Sequence, residues 1–282
     1  MKGNVKLRMI STLAIVALCG ALVLTGCEGQ DSSPKVSIVG STSVQPLAEE
    51  LANKYKDSHP QSNIEIQGVG STAGIKSVND GACDIGTSSR DLKKEEKAWN
   101  LTETVIAFDG IAVIVSPNNK VDDLTSEQIA KIFKGEINNW SELGGDNKEI
   151  IVVSREAGSG TRGAFEELLE LEKKEGDFTV SLLVDDALIA DGTGSVMANV
   201  AGKDNAIGYM SIGMVDETKV KKVKIDGIEA TEQNVKDNKY LISRPFLMLT
   251  KGDAKKETKE FLDFILSDEG QKVVAEEYIP VK

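Results

Sequence analysis

The stretch Val105-Ile106-Ala107-Phe108-Asp109-Gly110-Ile111-Ala112-Val113-Ile114-Val115 is apolar and β-branched, too long for an ordinary strand, and broken at its centre by Asp109-Gly110. Pro117 and Asn118 then end the pattern. An extended segment of this length reads as a crossing between two compact bodies. A second candidate crossing is Leu241–Thr250, which contains Arg244-Pro245. Two crossings imply a discontinuous first lobe, residues 36–115 plus 246–282, with a second lobe, residues 116–245, inserted between them; such crossings can serve as hinges. Spacing alone equally admits two sequential domains.

On either side of this stretch the chain alternates between two periods. Apolar β-branched runs recur at Val36–Val39, Ile64–Ile66, Ile150–Val153 and Phe246–Leu249. Between them, Leu47, Leu51 and Tyr55, then Ile129, Ile132 and Phe133, then Phe165, Leu168 and Leu169, then Phe261, Leu262 and Ile265 follow helical spacing. Strand and helix in alternation predict an α/β fold with largely parallel sheets. The 282 residues suffice for one large domain or two modest ones.

Residues 1–26 carry Lys2, Lys6 and Arg8 without an acid and then an apolar run, which is expected to be an export signal. Leu24-Thr25-Gly26-Cys27 resembles the bacterial lipobox, so Cys27 is expected to be acylated after cleavage, with residues 27–35 as a polar tether. An ordinary secretory signal and a permanent anchor are the competing readings. The formal net charge is −12, and loss of the basic signal leaves the chain more acidic still. Such a polyanion repels nucleic acid and anionic lipid at long range, so no nucleic-acid partner and no membrane contact beyond the N-terminal lipid are expected. Cys83 then stands alone, flanked by apolar residues, as a small buried residue.

Three segments share one design, an apolar strand, a short Gly/Ser/Thr loop and an amphipathic helix. They are Val39-Gly40-Ser41-Thr42-Ser43, Gly68-Val69-Gly70-Ser71-Thr72-Ala73-Gly74, and Val153-Ser154-Arg155-Glu156-Ala157-Gly158-Ser159-Gly160-Thr161. A helix N-terminus exposes unpaired N–H groups and the positive end of its dipole; glycines admit an anion to the backbone, and hydroxyls add donors without bulk. One such loop is ordinarily an N-cap, but three together, one with an arginine, suit a tetrahedral oxyanion. The second loop misses the dinucleotide fingerprint by one position, and no loop has the Gly-Lys-Ser/Thr of a nucleotide-binding P-loop. His59 is the only histidine, which leaves no His-rich metal site and little basis for a Ser-His-Asp enzyme. The acidic run Glu166, Glu167, Glu170 and Glu172 reads as a solvated helix face. No enzymatic activity, metal or cofactor is expected.

These residues resemble the phosphate-binding component of bacterial phosphate ABC transporters, within the periplasmic-type solute-binding proteins. The resemblance rests on Gly40-Ser41-Thr42-Ser43, Gly68-Val69-Gly70-Ser71-Thr72, Asp84-Ile85-Gly86-Thr87-Ser88-Ser89-Arg90, and Arg155 with Gly158-Ser159-Gly160-Thr161. It implies two α/β lobes joined by two crossing hinge strands, a monomer lipid-anchored on the extracytoplasmic face of the cell membrane, capture of inorganic phosphate between the lobes, and delivery to the permease subunits of an ABC importer. It also implies that Thr42, Ser43, Ser71, Arg155, Ser159, Gly160 and Thr161 hold the anion. Where part of the family has a carboxylate, this chain has Ser89, which is likewise expected to bind the anion. A buried carboxylate rewards hydrogenphosphate, which carries a proton, over sulfate, which does not. Asp109, in the crossing, is the candidate replacement, the alternative being that it only caps or turns the backbone beside Gly110.

The rival readings are a binding protein for another oxyanion and a surface adhesin or scaffold. With a screening length of ~8 Å in physiological salt, binding in an enclosed cleft should change little when inert salt is raised during a phosphate titration. A steep loss of affinity would put the anion on an exposed patch.

Overall fold

The computed structural model describes residues 35–282 apart from residue 177; the expected signal, Cys27 and all of the tether except Lys35 lie outside the described residues. The chain runs β1 (Lys35–Gly40), α1 (Gln45–Ser58), β2 (Asn63–Gly68), α2 (Ser71–Asn79), β3 (Ile85–Ser88), α3 (Lys94–Lys97) and β4 (Leu101–Val115). It continues through β5 (Asp123–Leu124), α4 (Ser126–Phe133), β6 (Ile151–Arg155), α5 (Gly160–Leu168), β7 (Glu172–Glu175), β8 (Phe178–Ser181), β9 (Leu188–Ala190) and α6 (Thr193–Ala201). Last come β10 (Ala206–Ser211), β11 (Lys221–Ile225), α7 (Glu232–Lys236), β12 (Ser243–Lys251), α8 (Lys256–Ile265) and α9 (Asp268–Val274).

β4 is the crossing that its sequence announced. Its first part pairs antiparallel with β12, from Leu101↔Lys251 to Gly110↔Ser243, with a register shift between Phe246 and Leu247. Its last part, Ile111–Val115, pairs antiparallel with β10. The strand order is β2-β1-β3-β12-β4-β10-β6-β9. Away from the crossing the main pairings are parallel, as expected: β1 with β2 and β3, and β6 with β10 and β9. The crossing itself is antiparallel, because the chain leaves along β4 and returns along β12.

Burial divides at the same place. One apolar core gathers Val36, Leu47, Leu51, Tyr55, Phe246, Phe261 and Tyr278, extended by a smaller cluster around Ile75, Val78 and Leu249. The other gathers Phe133, Trp140, Phe165, Tyr209 and Ile242. Ile111–Val115, which the sequence put with the first lobe, already belong to this second core. The change of core therefore falls at Phe108–Gly110: Ala107 is the last β4 residue in the first core, and Phe108 is 42% exposed.

The acidic run also differs from its expectation. Glu166 is buried, accepting from Arg162 Nε at 2.7 Å and from Ser181 Oγ at 2.8 Å, and Glu172 lies in β7. A buried carboxylate needs these partners to offset its lost hydration. Cys83 is buried as expected, and burial pushes its thiol up to about 11. Among the described residues no helix is long and apolar enough to cross a membrane.

Phe165 stacks on Tyr209, with ring centroids 3.9 Å apart, and meets Phe133 edge-on at 4.8 Å. Phe165→Ala is expected to lower unfolding stability by about 3–5 kcal/mol, the cost of an aromatic-sized cavity in a packed core, read from the urea midpoint. A loss below about 1 kcal/mol would mean that this core repacks freely.

Candidate functional site

The N-termini of four helices, α1, α2, α5 and α6, meet where the two lobes touch. Parallel strands deliver them, because each helix starts just beyond the C-terminal end of its strand. The loop after β1 is fixed first. Gly40 sits at φ +152°, and a Cβ there would lie 2.2 Å from the Thr87 carbonyl oxygen, so close packing against β3 requires glycine. The Ser41 amide donates to Thr87 Oγ1 at 2.8 Å. The amides of Val69 and Gly70 donate to the Gly40 carbonyl at 2.7 and 2.8 Å, which binds the second loop to the first. In the second lobe, Ser159 caps α5 by accepting from the Arg162 amide at 3.2 Å. The Tyr209 hydroxyl accepts from the Arg155 amide at 3.3 Å and steadies the end of β6.

Two polar groups result. In the first, Ser43 Oγ lies 2.8 Å from Thr161 Oγ1 and 3.1 Å from Thr193 Oγ1, and Thr42 Oγ1 lies 3.2 Å from Thr193 Oγ1. Arg155, only 1% exposed, donates from Nη2 to Thr42 at 3.0 Å and from Nη1 to Thr193 at 3.2 Å. Its Nε and Nη2 also donate to the Glu156 carboxylate, each at 2.8 Å. In the second group, Ser41 Oγ donates to Ser89 Oγ at 2.9 Å, and the Ser89 amide donates to Ser71 Oγ at 3.1 Å. Ser41 links the groups by accepting from the Ser43 amide at 3.2 Å. Gly160 is wedged against the second group: a Cβ there would lie 2.2 Å from Ser71 Oγ and 2.7 Å from Ser89 Oγ. A backbone bond also joins the lobes, from the Thr72 amide to the Gly158 carbonyl at 3.1 Å.

Asp109 reaches these residues only through a neighbour. Arg244 stands directly opposite it on β12. Asp109 Oδ2 accepts from Arg244 Nη2 at 3.0 Å and Oδ1 accepts from Ser211 Oγ at 2.8 Å, while Arg244 Nη1 donates to the Ser89 carbonyl at 3.2 Å. Complete burial holds the Asp109 carboxyl above the usual carboxylate range, against the pull of the Arg244 guanidinium and the Ser211 hydroxyl.

The eight other expected residues, Thr42, Ser43, Ser71, Ser89, Arg155, Ser159, Gly160 and Thr161, line this interlobe region. Sequence reasoning missed Ser41, Arg244 and Thr193. Thr193 carried a legible signal, since Ala190-Asp191-Gly192-Thr193-Gly194-Ser195 repeats the strand–Gly/Ser/Thr–helix design. An arginine inside a strand, such as Arg244, carries no sequence sign of burial. His59 lies at the opposite, C-terminal end of α1, stacked on Tyr55 at 4.0 Å.

Each buried guanidinium is paired with a carboxylate, so the formal charge of the region is nearly balanced. What it offers an anion is a dense array of hydroxyls, amides and helix N-termini, with one fixed guanidinium. Among the described residues there is no cluster of His, Cys, Asp or Glu suited to a metal ion.

Residues 27–269 match the PBP superfamily domain. The phosphate-binding protein PstS of Bacillus subtilis is 33% identical over 290 residues, covering 98% of this chain and 92% of the relative. The protein of the same name from Borreliella burgdorferi is 30% identical over 273 residues, covering 95% and 98%. Among solved structures, a Clostridium perfringens substrate-binding protein of the phosphate ABC transporter class, with bound phosphate, superposes with a TM-score of 0.83 at 48% identity, over 88% of this chain and 100% of that one. An ABC-type phosphate transport receptor from Vibrio cholerae gives 0.73 at 40% identity, over 87% and 99%. The chain thus belongs to the PBP superfamily, in the family of the phosphate-binding proteins PstS.

Proposed function

We propose that the chain is the extracytoplasmic solute-binding component of a phosphate ABC importer, capturing inorganic phosphate between its lobes and presenting it to the permease subunits. The observation that carries this reading is the meeting of four helix N-termini around the buried Arg155 guanidinium at the lobe junction. The relatives named for phosphate binding and the neighbour solved with phosphate support it. In this reading no bond of the ligand is made or broken, and the protein is not an enzyme. The first lobe is 35–108 with 244–282, the second is 111–242, and acylated Cys27 tethers a monomer to the membrane.

Thr42, Ser43 and Thr161 with Arg155 take one side of the anion; Ser71, Ser89, Gly160 and the α5 N-cap Ser159 take the other. Bonds from such donors to a charged partner contribute about 1.5–3 kcal/mol each, so several outweigh desolvation and closure. The anion bridges residues of both lobes, stabilising the joined form by contacts that the separated form lacks. A hydroxyl accepts as well as donates, so the Ser41–Ser71–Ser89 group suits the protonated oxygen of hydrogenphosphate. Asp109 has both oxygens committed and acts through Arg244, which holds the Ser89 carbonyl.

Calorimetric titration of the mature chain with phosphate and then sulfate tests the reading. Tight one-to-one phosphate binding is expected; a sulfate response alone would reassign the ligand, and silence for both would sink the proposal. In Gly160→Ala the new methyl meets Ser71 and Ser89, and an overpacking cost of ~1–3 kcal/mol predicts roughly 10- to 100-fold weaker phosphate binding. Asp109→Asn leaves Arg244 unpaired, and stability should fall by about 3–5 kcal/mol with the phosphate-to-sulfate preference kept. Loss of that preference would make Asp109 the acceptor of the phosphate proton.

A further inference from the structure

We propose that Thr193 is a ligand-contacting residue of this site, its hydroxyl donating to the bound oxyanion from a fourth loop, Asp191-Gly192-Thr193. The inference rests on the phosphate-binding reading above.

Strand register puts the loop there. β9 pairs parallel with β6, with Ala190 opposite Arg155, so the chain leaves the two strands side by side, one exit leading to α5 and the other to α6. Thr193 is the first residue of α6 and is 1% exposed. Its Oγ1 lies within 3.1–3.2 Å of three polar side chains: Ser43 and Thr42 from the first lobe and Arg155 from its own. Each of these belongs to the anion site as read above.

The direction of these bonds separates ligand contact from mere capping. The α6 N-cap is Gly192, and the Thr193 hydroxyl bonds to Thr42, Ser43 and Arg155, none of which belongs to its own helix. Ser159, at the start of α5, does serve its helix by accepting from the Arg162 amide. Arg155 Nη1 donates to Thr193 Oγ1. A hydroxyl whose lone pair faces a cation keeps its proton for an acceptor, and the cation polarises that O–H further. Ser43 and Thr42, its other neighbours, are themselves hydroxyls with protons to donate, so an oxyanion among the three satisfies all of them at once. Thr193 thereby brings the second helix of the second lobe to bear on the ligand, matching the two helices of the first.

The test is phosphate titration of the mature chain as wild type, Thr193→Val and Thr193→Ser, with phosphate-free melting curves for each. Thr193→Val keeps shape and loses the hydroxyl, and should bind phosphate roughly 10- to 100-fold more weakly. Thr193→Ser restores the donor and should stay within about threefold of wild type, the order of the several weak van der Waals contacts that one methyl makes. Without phosphate, Thr193→Val leaves the buried Arg155 Nη1 without its acceptor and should melt roughly 2–10 °C lower, whereas Thr193→Ser keeps that acceptor and should melt within about 2 °C of wild type. In the phosphate-bound crystal structure Thr193 Oγ1 should lie within about 3 Å of a phosphate oxygen. Wild-type affinity in Thr193→Val, equal losses in both variants, or a hydroxyl beyond hydrogen-bond reach of phosphate would each overturn the inference while leaving phosphate binding intact. A wild-type chain that ignores phosphate would overturn the functional reading and this inference together.

Discussion

A guanidinium buried to 1% exposure cannot be left to water, and the rest of the site is arranged around that constraint. Four hydrogen bonds from Arg155 go to Glu156, Thr193 and Thr42, one of them across the lobe junction. Glu156 balances its charge and fixes the plane of the fork. The region therefore combines donor density with little net charge. That suits a chain of net charge −12, whose long-range field repels anions, because attraction then operates only over hydrogen-bond distances inside an enclosed site.

The two crossing strands carry the second buried pair. Asp109 and Arg244 face each other across β4 and β12 where the apolar core changes from one cluster to the other. Burying both charges costs desolvation, which their mutual attraction and the Ser211 and Ser89 bonds offset. The pair thus couples the hinge strands to the loop that carries Ser89.

Much of the fold was legible because hydrophobic period is local. Leu47, Leu51 and Tyr55 declare a helix face, and the apolar run broken at Asp109-Gly110 declares a long extended segment, whose passage between two cores the strand pairing decides. The site was legible for the same reason where glycine, serine and threonine cluster between a strand and a helix, since each residue type serves a helix terminus by short-range chemistry. The same rule reached its limit at Glu166, whose helical run looked solvated until Arg162 and Ser181 enclosed it.

The sequence by itself determined that strands alternate with helices, that three Gly/Ser/Thr loops, one carrying Arg155, lead from strands into helix termini, and that one apolar run is too long for an ordinary strand. Tertiary structure decided which polar groups share a partner. Asp109 and Arg244 are 135 positions apart, and Thr193 lies 150 from Ser43. Those meetings depend on strand register and on the lobes facing each other. Hydrogen bonds act over about 3 Å, and distances of that size between remote residues are set by the packing of whole elements, which local pattern does not encode.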